Sequence, residues 1–135
     1  MLLTTSAMAE EARVWRKRYG AGMRQVGILA AAANYALDNN LALLKEDHRR
    51  AGEIAKLIHS ISPSAVDPKN VHTNIVALDL SAHKISAAEF NERLKAQGIL
   101  ASALGPKFLR FVTHLDFDDA QCSEAIEILK KALVA

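Results

Sequence analysis

Arg110 interrupts an otherwise apolar run, with Phe108 and Leu109 before it and Phe111 and Val112 after it. A guanidinium inside such a segment is costly to bury unless a carboxylate or phosphate pairs with it, and a bidentate arginine contact suits a carboxylate well. Strand periodicity also permits a plainer role, an arginine at a sheet edge with its side chain on the solvent face. The segment itself leaves both readings open.

A second group of cations surrounds a glycine-rich corner. Residues 15–25 run Trp15, Arg16, Lys17, Arg18, Tyr19, Gly20, Ala21, Gly22, Met23, Arg24, Gln25. Glycine tolerates the positive φ that a chain reversal requires, and the amides at the start of a following helix attract anions. Lys17 and Arg24 could therefore converge on a phosphate, or they could be solvated charges at two helix ends. His114 with Asp116, and His48 beside Asp47, carry acidic and basic groups close in sequence, yet a histidine near a strand end commonly satisfies a local hydrogen bond. The five histidines show no HExxH or comparable spacing, so no catalytic metal is expected. Ser102, Thr73 and Cys122 lack the context of a nucleophile elbow or triad.

The elements that must position these residues follow from pattern. Ser6 caps a helix through Lys17, with Glu10 and Glu11 early and Arg16, Lys17 and Arg18 late, the charge order a helix dipole favours. Gly20 ends it. A second helix over residues 23–38 carries four consecutive alanines, Ala30 to Ala33, and is expected to be buried nearly all round. After Asn39 and Asn40, a third, amphipathic helix puts Leu44, His48, Ala51, Ala55 and Ile58 on one stripe, with Lys45, Glu46, Arg49 and Arg50 outward. Residues 60–70, rich in Ser, Pro, Asp and Asn, form a loop.

Residues 71–80 then read as a strand, and Ser86 with Glu89 as a capping box opening a helix that stops at Gly98. Residues 99–104 form a short strand and Gly105–Pro106 a turn. Another strand follows in which Phe108, Arg110, Val112 and His114 alternate with Leu109, Phe111 and Thr113. The last helix begins near Asp118 and faces the sheet with Cys122, Ile126, Leu129 and Leu133. The predicted class is α+β, three helices followed by β-α-β-β-α, with a small sheet covered by helices on at least one side.

Composition narrows the class of function. The 135 residues are half apolar and carry a formal charge of +2, enough for one core and too little for the basic stripes of a nucleic-acid partner. A single cysteine, Cys122, provides no disulfide framework and suits a reducing, cytoplasmic setting. No apolar run approaches the ~20 residues of a membrane span, and residues 1–9 lack the basic start and cleavage site of a signal peptide.

Several separated segments carry a resemblance. Residues 15–25 are similar to a WRKxxGGGMRQ segment, residues 23–32 to an MRQ-x-GILAAA helix, residues 44–48 to LxEDH, and residues 110–116 to RxVTHxD, with Thr73 and Asn74 between. Together they resemble the low-specificity L-threonine aldolases, pyridoxal-phosphate (PLP) enzymes of the aspartate aminotransferase fold type I. One departure is Ala21, standing where that family has its middle glycine. The resemblance implies the C-terminal part of such an enzyme, with residues 1–40 ending the large cofactor domain and residues 41–135 forming the small domain. It implies cleavage of L-threonine or L-allo-threonine to glycine and acetaldehyde, Arg110 on the substrate carboxylate, Lys17 and Arg24 near the PLP phosphate, and a homodimer or homotetramer. The lysine that forms the Schiff base is expected upstream of Met1, so no lysine of this chain inherits that role. A related PLP-dependent β-eliminating lyase, or an α+β interaction module that has lost the chemistry, are the alternatives.

Overall fold

A computed structural model describes residues 3–134. The chain divides into two compact units, Met1–Asp38 and Asn39–Ala135.

The first unit holds helix α1 (Ser6–Arg18) and most of helix α2 (Gly27–Asn39). Thr5, rather than Ser6, caps α1, its hydroxyl accepting from the Met8 amide. At the other end Gly20 takes φ 80°, and two backbone bonds close the helix: Gly20 N–H to the Lys17 carbonyl and Ala21 N–H to the Arg16 carbonyl. This is the Schellman arrangement, which satisfies carbonyls that the helix end would leave open. Helix α2 begins at Gly27 and not at Met23, because Gln25 adopts a positive φ of 53° that no right-handed helix accommodates. The expectation that α2 is buried nearly all round is also corrected. Neither helix of this unit contains a buried residue, and Ile28, Leu29, Tyr35 and Leu37 are exposed.

The second unit is a two-layer α/β structure. A 3-10 turn at Leu41–Leu43 leads into helix α3 (Leu44–Ile61), followed by a second 3-10 turn at Pro68–Asn70, strand β1 (Ile75–Asp79), helix α4 (Ala87–Lys95), strands β2 (Ser102–Ala103) and β3 (Phe108–Val112), and helix α5 (Asp119–Val134). The α+β class and the element order agree with the sequence reading. Ser86 caps α4 by accepting from the Glu89 amide. Asp118 and Gln121 cap α5 reciprocally, each side chain accepting from the other's backbone N–H.

The buried stripe of α3 is Asp47, Ala51, Ile54, Ala55 and Ile58. Leu44 and His48 lie outside it and are exposed, which corrects the predicted face at both of its first two positions. Arg50 also departs from expectation: it is largely covered and pairs with Asp119 of α5 and Asp47 of its own helix.

The sheet order is β1-β3-β2, and both pairings to β3 are antiparallel. Strands β1 and β2 therefore run parallel with β3 inserted between them, a split β-α-β arrangement. One sheet face, with Val76, Leu78, Leu109 and Phe111, joins Ile54 and Ile58 of α3, Phe90 and Leu94 of α4 and Cys122 and Leu129 of α5 in one core. The other face carries Ile75, Ala77, Phe108, Arg110 and Val112 and has no helix over it in this unit. Strands β1 and β2 are shorter than predicted. Residues 71–74 stay outside β1, where Asn74 instead bonds the chain just after β3.

Candidate functional site

The alternation in β3 turns Leu109 and Phe111 into the core and leaves Arg110 on the uncovered face. Arg110 is not at a sheet edge, as one sequence reading allowed. It stands in the central strand, opposite Ala77 of β1 on one side and Ser102 of β2 on the other. Its Nε is buried and has no hydrogen-bond partner among the described residues. An unpaired guanidinium N–H costs on the order of 1–3 kcal/mol, and a carboxylate partner would remove that cost. Phe108 and Val112 flank it along the strand, and Ile75 pairs with Val112.

Behind this face the strand end is firmly tied. Thr113, 2% exposed, donates from Oγ1 to the Asp47 carbonyl at 2.7 Å. Its amide donates to the Asn74 carbonyl at 2.9 Å, and the Asn74 side-chain amide returns a 2.7 Å bond to the Thr113 carbonyl.

His114 and Asp116 do not form an acid–base device. His114 Nδ1 accepts from the Asp116 backbone N–H at 3.3 Å, and its separation from the Asp116 carboxylate is 3.9 Å, with both side chains exposed. The ring thus terminates a local turn. Cys122 is buried, and burial pushes its thiol pKa up, as suits a packing residue. The strongest ionic cluster is structural: Arg49 pairs with Glu46, Glu53 and Asp119, and Arg50 reaches the same Asp119 oxygen at 2.7 Å. The Arg50 and Arg49 guanidiniums hold the Asp119 carboxyl below its usual range, and Arg49 does the same to Glu46.

In the first unit, Lys17 lies in the last turn of α1 and Arg24 in the bend before α2. Arg24 is therefore not a helix-start residue as predicted, being three positions before the first helical residue, Gly27. Gly22 folds back onto Lys17, so that a Cβ at position 22 would stand 3.4 Å from the Lys17 Cγ. Ala21 has no positive φ, and its methyl group imposes no strain on the corner. Lys17 and Arg24 are exposed, and neither has an ion pair or side-chain hydrogen bond among the described residues. Among the described residues, no group of three or more His, Cys, Asp or Glu could hold a metal ion. No described helix is long and apolar enough to cross a membrane.

A model of the beta-eliminating lyase family matches residues 1–81. The chain belongs to the beta-eliminating lyase family. The chain is 40% identical over 110 residues to a low specificity L-threonine aldolase of Escherichia coli, a match covering 82% of the chain and 31% of the relative. It is 27% identical over 135 residues to low-specificity L-threonine aldolase 1 of Arabidopsis thaliana, covering 99% of the chain and 38% of the relative. With the low-specificity L-threonine aldolase of Candida albicans the identity is 30% over 107 residues, covering 73% of the chain and 28% of the relative. The chain thus spans about a third of the length of these curated relatives.

Ser102 is the site neighbour that sequence reasoning set aside. The sequence gives it no nucleophile context, and its position beside Arg110 depends on the register of β2 against β3. That pairing is non-local and leaves no spacing signal in the sequence.

Proposed function

We propose that this chain is the C-terminal part of a PLP-dependent low-specificity L-threonine aldolase, of fold type I, that cleaves L-threonine or L-allo-threonine to glycine and acetaldehyde. The observation that carries the reading is Arg110 in the middle of the central strand, on the uncovered sheet face, with a buried Nε that lacks a hydrogen-bond partner and a guanidinium that lacks an ion pair among the described residues. An amino-acid substrate brings the missing carboxylate. Held on a central strand, the guanidinium fixes the substrate's orientation with little freedom to lose, which favours a reaction that depends on alignment of the breaking bond.

The cations fit the cofactor's phosphate as well. Lys17 and Arg24, both without ion pairs among the described residues and joined by a glycine-containing turn, are the residues that would hold it. Bound PLP supplies the electron sink for carbon–carbon cleavage. The residues of this chain supply binding and orientation, and the lysine that anchors the cofactor belongs to the remainder of the protein. Residues 1–40 then complete the large domain and residues 41–135 form the small one. The exposed apolar side chains of α1 and α2, Trp15, Ile28 and Leu37 among them, suit contact with that remainder and with further copies in a cytoplasmic homodimer or homotetramer.

The test is Arg110→Gln in the complete protein. Threonine cleavage should fall about 100-fold in kcat/KM, mainly through KM, since a charge-assisted bidentate contact is lost. Unchanged kcat/KM would overturn the assignment. The family match also favours a second reading, β-elimination from another amino acid, because Arg110 reads only the carboxylate. Product analysis with L-threonine and with β-substituted amino acids separates the two.

A further inference from the structure

The geometry points to Ser102 as a second binding residue for the carboxylate held by Arg110. This inference rests on the reading of Arg110 given above and adds a partner to it. In the row Ala77–Arg110–Ser102, the three residues are direct cross-strand neighbours, so their side chains emerge on the same sheet face. Directly opposed residues have Cβ atoms about 4.5–5.5 Å apart, within reach of a shared ligand group. Ala77 offers no polar atom. Ser102 has a hydroxyl that is partly exposed and makes no side-chain hydrogen bond among the described residues.

The chemistry of the ligand explains why one arginine leaves room for another group. An ionised carboxylate has two oxygens and about four lone-pair positions, of which a bidentate guanidinium contact uses two. The Ser102 hydroxyl is a donor free to rotate and can take a third. It also differs in kind from a lysine or a second arginine, because it adds directionality without adding charge. The short edge strand β2 thereby contributes more than sheet closure: it brings a hydroxyl to the side of Arg110 that β1 leaves bare.

The experiment compares glycine with glycinamide as competitive inhibitors of threonine cleavage by the PLP-loaded complete protein. The two ligands differ only in the carboxylate, so the ratio of their inhibition constants reads recognition of that group. Ser102→Ala should reduce the preference for glycine about tenfold, the size expected for a hydrogen bond to a charged acceptor, and Ser102→Thr should preserve it. An unchanged ratio in Ser102→Ala, or equal weakening of both ligands, overturns the inference about Ser102. Arg110→Lys separates that failure from failure of the underlying reading. If Arg110→Lys collapses the preference while Ser102→Ala does not, Arg110 stands and Ser102 falls; if neither variant changes it, both assignments fall.

Discussion

Thr113 Oγ1 donates to the main-chain carbonyl of Asp47 at 2.7 Å, fastening the chain just after β3 to the first turn of α3. The bond is buried, and Thr113 lies three residues beyond Arg110, so it anchors the strand that presents the guanidinium. Thr113→Val keeps the shape and removes the donor. The substitution should destabilise the second unit by about 1 kcal/mol, the usual net worth of a buried neutral hydrogen bond. Urea denaturation checks this, and an unaltered midpoint would show that the strand end needs no such anchor.

Arg110 is expected to be a burden on the fold and an asset to binding. Its unpartnered Nε makes no contribution to the core, while its aliphatic stem covers the sheet. Arg110→Met retains that cover without the orphaned donor, and should raise the stability of the second unit by about 0.5–1 kcal/mol. Chemical denaturation of this chain is the measurement. A loss of stability instead would mean that the arginine is kept for packing.

The acidic limb of the stability curve should report on Asp119. Arg50 and Arg49 depress its folded pKa, Arg49 depresses that of Glu46, and bonds from Ser81 depress that of Asp79. A carboxylate whose folded pKa lies below its unfolded value releases its proton more readily when folded, so it stabilises the fold above the unfolded pKa of about 4. That contribution disappears as pH falls through the lower, folded value. Stability should therefore be flat from neutrality down to about pH 5 and decline below about pH 4. Asp119→Asn should flatten part of the decline, and added salt should weaken it, because the Asp119 carboxylate is solvent-exposed. An acid limb identical in the variant would remove Asp119 from the account.

Much of the second unit was legible because its signals are local. Ser86 and Asp118 mark helix starts through hydrogen bonds spanning three residues, and the alternation around Arg110 sorts β3 into a core face and an open one. The failures share a different origin. Helix α2 starts later than its apolar pattern suggests because Gln25, a residue with no special tolerance for positive φ, adopts it. The α3 pattern points to His48 instead of Asp47 because the contacts that cover this turn, the Thr113 hydroxyl on the Asp47 carbonyl and Asp119 on Arg50, come from positions far away in sequence. Whether Arg110 was at an edge or in the centre, and whether Ser102 mattered, depended on strand order, which alternation within one strand does not encode.

The central placement of β3 has a consequence for how the proposed binding face can be lost. Its backbone is hydrogen-bonded to a strand on each side, and its inward side chains share one core with α3, α4 and α5. Fraying at a sheet margin would release β2 first and leave Arg110 in place. The guanidinium should thus disappear as a presented group only in the same cooperative event that unfolds the unit, with backbone amides of β3 among the slowest to exchange with deuterium.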